Sequence, residues 1–219
     1  MKLSRLLLAA VIMTSSALAA GADGAAGVIE RFAGAEARVV LEALPGAGAH
    51  EFEAGVHEGQ LVVRANSPVA HCRGFYSAVR RSGRGICSWS GRRFAPGPWQ
   101  PAPLLKGSSP FPLRYYLNVV TFGYTTAFWD WARWEQEIDW MALHGINMPL
   151  ALTAQEAIMA RVYRRLGLSA EEITRSFCGP AHLPWLRMGN ISGIDSPLPA
   201  TWHAGQVELQ HRLQLMQQE

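Results

Sequence analysis

Six prolines fall between residues 93 and 112, at Pro96, Pro98, Pro101, Pro103, Pro110 and Pro112. Each fixes φ and removes a backbone donor, so neither a helix nor a central strand can run through them. The chain must fold in two parts, a first domain over residues 24–105 and a second over 112–219, with the proline-rich stretch read as an extended linker. Both parts have material for a core: 49% of the 219 residues are apolar and 17% charged, with 8 Trp and 8 Phe. That balance excludes a disordered chain.

Residues 1–19 have the organisation of a secretory signal peptide. Lys2 and Arg5 precede an apolar run over residues 6–13, and Ala17-Leu18-Ala19 supplies a cleavage site, so export and a mature chain starting near Ala20 are expected. No later run of 18 apolar residues exists, and no transmembrane segment is expected. An oxidising compartment permits disulfides, but Cys72, Cys87 and Cys178 are odd in number. Cys72 with Cys87 is the first pairing to consider, and buried thiols are the alternative. No CxxC, HxH or HExxH occurs, so no metal site is expected.

In the first domain, residues 25–32 read as a helix, 37–44 as a strand, and 50–54 with 61–65 as a hairpin around Glu58-Gly59. Ser67-Pro68 opens a helix to Arg81 that stops at Gly83, and residues 86–89 return as a strand. In the second, residues 115–122 (YYLNVVTF) read as a buried strand, 127–144 as an amphipathic helix ended by Gly145, and 146–152 as another strand. Thr153-x-x-Glu156 and Ser169-x-x-Glu172 each read as a capping box, and Ile158, Val162 and Leu166 line one face of the helix between them. A final helix covers residues 202–219. Strand, helix, strand, helix implies α/β architecture with parallel pairing. Periodicity leaves an open doubly wound sheet and a closed (β/α) barrel equally open. Neither GxGxxG nor GxxxxGK[ST] is present, so no nucleotide cofactor is expected.

The motifs RYYLNVVTFGY (114–124), WDWARWEQEIDWMALHGIN (129–147), QEAIxxRVY (155–163), RMGN (187–190) and PLPxxWH (197–203) resemble the start of the catalytic barrel of the α-N-acetylglucosaminidases, glycoside hydrolase family 89. VRANSPVAHCRGFYSAVRR (63–81) and CSWSG (87–91) are similar to the family's small N-terminal α/β domain. The resemblance implies a small α/β domain followed by an incomplete (β/α)8 TIM-type barrel. It also implies an exo-acting retaining hydrolase that removes terminal α-linked N-acetylglucosamine with two carboxylates, without cofactor or metal. Carried over residue by residue, Asn118 contacts the sugar at the C-terminal half of the first barrel strand, and Tyr124, Gln155 and Glu156 lie where pocket walls stand. At the position two residues after Asn118, often Cys in the family, stands Val120.

No catalytic pair is expected within these residues. In the family the two glutamates come from later strands. Here Asp130, Glu135, Glu137 and Asp139 read as the first turn and solvated side of a helix, Glu156 as a cap residue, and Glu171 and Glu172 as a helix start. From Tyr115 onwards the chain is far shorter than the roughly 250 residues of an eight-fold barrel, and it reads as a truncated or split product. A non-catalytic carbohydrate-binding or structural relic is the alternative. Separately, no acid occurs between Glu58 and Asp130, while Arg64, Arg73, Arg80, Arg81, Arg84, Arg92, Arg93, Lys106 and Arg114 do. This basic interval reads as a solvated face or as a surface for a polyanionic glycan; export disfavours nucleic acid as its partner.

Overall fold

Alternating burial along two adjacent strands builds the sheet of the first part. Phe52, Ala54, Leu61, Val63 and Ala65 point inward from β2 (Phe52–His57) and β3 (Gln60–Ala65), which pair antiparallel. Their turn is Glu58-Gly59, both at positive φ (49° and 77°), the two-residue hairpin conformation that matches strand twist. β1 (Val39–Ala43) pairs parallel with β3, so β3 is the inner strand between β1 and β2. The computed structural model describes residues 24–45, 50–192 and 198–218, so the signal-peptide reading of residues 1–19 lies outside the described residues. It divides into two units. One holds the chain up to Arg114 together with Ile138–Met148, the other Tyr115–Glu137 and Pro149–Gln218.

Two helices cover the inner face of the first unit's sheet. α1 (24–33) buries Ala25, Val28, Ile29 and Phe32, and α2 (Pro68–Arg81) buries Cys72, Phe75, Tyr76 and Val79. The start of α2 is as expected: Ser67 Oγ accepts from the Ala70 amide at 3.2 Å and Pro68 occupies the first turn. Gly74 lets this helix approach the sheet, since a Cβ there would lie 2.8 Å from Val63 and 3.0 Å from Phe52. After α2, β4 (Gly85–Ser88) and β5 (Gly91–Phe94) form a second hairpin. On the outer face of the sheet Arg64 meets Glu42 at 2.8 Å and Lys106 meets Glu53 at 2.5 Å.

The proline-rich stretch is not a free linker. β6 (Leu105–Gly107) adds to the sheet edge beside β2, with Lys106 opposite Glu53 and Gly107 opposite Phe52. An edge is where a strand flanked by prolines can sit. Trp99, in the midst of the prolines, is 4% exposed; its indole N–H donates to the Ala37 carbonyl at 2.8 Å and its amide to Gly59 at 3.0 Å. The same core takes Leu143, fully buried, from the far end of α3 (Trp131–Leu143), and Arg31 clamps Asp139 at 2.7 and 2.9 Å. Asp139 is therefore a buried ion-pair partner and not part of a solvated side.

In the barrel segment the Leu150 amide donates to Tyr116 and the Met148 amide to Arg114. These bonds advance in the same direction along β7 (Tyr115–Tyr116) and β8 (Met148–Pro149), the expected parallel pairing. Both strands are much shorter than expected. Leu117 stands at φ 70°, which a branched side chain adopts only at a cost, and the chain leaves the sheet there for 3-10 turns over Thr121–Gly123 and Thr125–Phe128. Asp130 caps α3 by accepting from the Arg133 amide at 2.9 Å.

The second unit's helices are α4 (Gln155–Arg165), α5 (Ala170–Arg175), α6 (Leu183–Arg187) and α7 (Ala200–Gln218). Ile173, Phe177, Cys178, Leu183 and Leu198 form its buried cluster. The capping box at Ser169–Glu172 is present in both directions, at 3.2 and 2.8 Å. The one expected at Thr153–Glu156 is not: Ala154 is the N-cap, Thr153 Oγ bonds Gln210 Oε1, and Glu156 is 2% exposed. The apolar face of α4 is present but uncovered, with Ile158, Val162 and Leu166 58%, 46% and 71% exposed.

Candidate functional site

Parallel strands present their C-terminal ends on one side, and in barrels that side carries the chemistry. Asn118 follows the end of β7 by two residues, and Gln155 opens α4 after β8. Asn118 is exposed and lies in the turn after the strand, not within it. Its Oδ1 accepts from the Val120 amide at 3.0 Å, the Thr121 amide at 3.1 Å and the Thr121 hydroxyl at 3.1 Å. The carbonyl side of the amide is thus committed to the turn, which leaves the Nδ2 donors for a ligand. Tyr124, between the two 3-10 turns, is 56% exposed and meets the Trp185 ring edge-to-face at 6.2 Å. Gln155 is half-buried.

Glu156 differs in kind. Arg187 donates to both of its carboxylate oxygens, at 2.6 and 2.7 Å, and the pair is almost wholly shielded from water. The pair ties the first turn of α4 to the last residue of α6. His203 faces the same charge, and burial, outweighing the attraction of Glu156, lowers its pKa. Nη1 of Arg187 and Nδ1 of His203 are buried without a hydrogen-bond partner among the described residues. Sequence reading did not assign Arg187 and His203 to the site, although both stand in the motifs that carried the resemblance.

A second buried acid of this unit, Glu137, accepts from the Tyr116 hydroxyl at 3.2 Å and from Arg133 at 3.1 Å. Contrary to the reading as a solvated side, it is 2% exposed. Burial and then the Glu137 charge push the Tyr116 phenol up to about 12, so that hydroxyl stays a donor. Glu156 and Glu137 each face an arginine and not a second carboxylate. A retaining pair needs two carboxyls about 5 Å apart on either side of a sugar; the hydrogen-bond partners of these two carboxylates are a tyrosine and two arginines. No cluster of three or more His, Cys, Asp or Glu suited to a metal occurs among the described residues. No described helix is long and apolar enough to cross a membrane.

A small α/β unit followed by a parallel β–α–β segment is the arrangement with which a (β/α) barrel opens. Residues 114–219 match the family described as "Alpha-N-acetylglucosaminidase (NAGLU) tim-barrel domain". The chain is 41% identical over 217 residues to human alpha-N-acetylglucosaminidase, covering 90% of this chain and 29% of the human protein. It superposes with a TM-score of 0.82, at 26% identity, on a family 89 glycoside hydrolase from Clostridium perfringens solved with 2-acetamido-1,2-dideoxynojirmycin, over 93% of this chain and 24% of that one. The same score and coverage hold for that enzyme with two glutamates replaced by glutamine, solved with its substrate GlcNAc-alpha-1,4-galactose. Residues 114–219 therefore belong to the α-N-acetylglucosaminidase family, glycoside hydrolase family 89. The chain spans under a third of the length of these relatives.

Proposed function

We propose that this chain supplies the N-terminal domain and first barrel segment of an exported, exo-acting and retaining α-N-acetylglucosaminidase. The identity to the human enzyme over nearly the whole chain carries the reading. Asn118, Tyr124 and Gln155 line the sugar pocket from the C-terminal ends of β7 and β8, with Nδ2 of Asn118 donating to the bound N-acetylglucosamine. The Glu156–Arg187 pair fixes the start of α4 behind them. The general acid and the nucleophile come from barrel strands outside these 219 residues, in keeping with the arginine partners of Glu137 and Glu156.

The test uses an aryl α-N-acetylglucosaminide, with this chain alone and with a chain in which it is extended by the remaining barrel of a family 89 hydrolase. Turnover with retained anomeric configuration is expected only in the extended protein. There, Asn118→Ala should lower kcat/KM about tenfold to a hundredfold, the worth of a hydrogen bond to a centre gaining charge. Activity of the 219 residues alone, an inverted product, or unchanged kinetics in Asn118→Ala would each count against the corresponding part of the reading.

A further inference from the structure

β1 is an edge strand: β3 pairs with one side of it, and no described strand pairs with the other. The Arg38 carbonyl accepts from the Leu61 amide at 2.9 Å and the Leu44 amide donates to Ala65 at 2.9 Å, so in this parallel register the even-numbered residues from 38 to 44 bond β3. The amides and carbonyls of Val39, Leu41 and Ala43 therefore face the open edge. Beside that edge lies an apolar groove of about 230 Å³ between α1 and β1, lined by Ala26, Ile29, Ala35, Val39 and Leu41. Val39 and Leu41 pack against the core yet stay half-buried. Opposite charges bracket the strand. Arg38, exposed and without an ion-pair partner among the described residues, precedes it. Glu42, near its end, is exposed and meets Arg64 through one oxygen, at 2.8 Å.

We propose that β1 is a self-association edge, pairing antiparallel with β1 of a second copy of this chain about a twofold axis at Val40. This alignment satisfies backbone, groove and charge together. With Val40 on the axis, Val39 stands opposite Leu41 of the copy on both sides, and each of these pairs exchanges the amides and carbonyls that face the open edge. Residues opposite one another across a pair project to the same face. Val39 and Leu41 of the copy therefore lie on the side where the groove runs, and each chain covers apolar surface that the other leaves half exposed. The same alignment sets Arg38 opposite Glu42 of the copy, twice by symmetry, a cross-strand contact of opposite charges. Moving the axis by one residue to Leu41 sets Glu42 against Val40 and Arg38 against Leu44, and both charge contacts are lost. An extended segment of another protein would find the same backbone groups, but a second β1 already carries the matching charges. This inference is independent of the proposed hydrolysis and needs only the first unit.

Sedimentation velocity of the intact chain over a range of concentrations reads the association, and concentration-dependent dimers are expected. Arg38→Glu and Glu42→Arg each set like charges opposite one another twice, so each alone should raise the dimer Kd about tenfold. An equimolar mixture of the two variants should recover dimers, because the mixed pair again sets opposite charges face to face. Should either variant melt early, amide exchange of the unaltered chain followed by NMR decides: Val39 and Leu41 should exchange more slowly as concentration rises, while Val40 and Glu42, already bonded to β3, should not change. A chain that stays monomeric, a mixture that associates no better than either variant alone, or exchange at Val39 and Leu41 that ignores concentration overturns the proposal. So does association that Val162→Lys on the exposed face of α4 abolishes and both charge variants leave intact.

Discussion

Glu156 has no water to fall back on. Its two oxygens are held by one guanidinium in a nearly dry site, so removing either partner leaves a charge or a set of donors stranded. Glu156→Gln should cost about 3–5 kcal/mol of unfolding free energy in the second unit. Glu156→Gln combined with Arg187→Met should recover much of that, because the stranded cation is gone. Urea melts followed by tryptophan fluorescence decide the matter, and a single variant within about 0.5 kcal/mol of the parent would show the pair to be incidental. The same residue shows why a sequence motif can mislead. Ser169-x-x-Glu172 and Thr153-x-x-Glu156 carry the same signature, yet only the first is a cap. Glu172 is exposed and has no competitor for its carboxylate, whereas Glu156 is claimed by an arginine 31 positions away that no local pattern announces.

His71 and His144 have pKa values lowered chiefly by burial, each partly offset by a hydrogen bond to a carbonyl, of Glu42 and of Trp140. The unfolded chain protonates them near 6.5 while the folded one resists. Their contribution to stability is therefore present above 6.5 and lost as pH falls from there toward their folded values. Denaturant midpoints at pH 7.5, 6.5 and 5.5 should decline in that order, and His71→Gln should flatten the decline; a midpoint that rises toward acid would contradict the assignment. The Cys72 thiol, pushed up to about 12 by burial, should meanwhile resist alkylation at neutral pH.

At the scale of elements, legibility followed how local the cause was. α2 could be read because its Ser cap, its Pro and its closing Gly lie within the segment itself, and the β2–β3 hairpin because Gly59, which takes positive φ without cost, stands in its two-residue turn. The strands at residues 115–122 and 146–152 were overread. The β-branched and aromatic residues of 115–122 suit a sheet, but the Leu117 conformation and the hydrogen bonds of Asn118 turn the chain after two residues, and of 146–152 only Met148–Pro149 pair as strand. β6 and Trp99 escaped for the opposite reason: their partners, Phe52 and Ala37, are 55 and 62 positions distant, and the prolines around them suggest freedom. Trp99→Ala tests how firmly the stretch is held. It removes a buried indole, a hydrogen bond and the ring beneath Arg84, and should cost about 3–5 kcal/mol. A loss under about 1 kcal/mol, read from the denaturant midpoint of the intact chain, would return the segment to the status of a linker.

For the whole molecule, sequence order and packing order do not coincide. The first unit does not close with the residues before the barrel, since Leu143 lies in its core, Trp140 packs against it, and Asp139 holds Arg31. A fragment of residues 24–112 loses all three. It exposes the core surface that Leu143 covers, worth about 1.5–3 kcal/mol for a side chain of that size, and it leaves Arg31 without its carboxylate. Against a domain stability of about 5–15 kcal/mol these losses are large but not fatal. The fragment 24–112 should fold with a melting temperature many degrees below that of 24–148, and Leu143→Ala in the longer fragment should bring the two closer. Limited proteolysis gives the same order: 24–148 should resist at protease levels that consume 24–112. Equal melting temperatures would mean that residues 138–148 lie against a core already complete without them, and the packing of α3 onto the first unit would then add nothing to its stability.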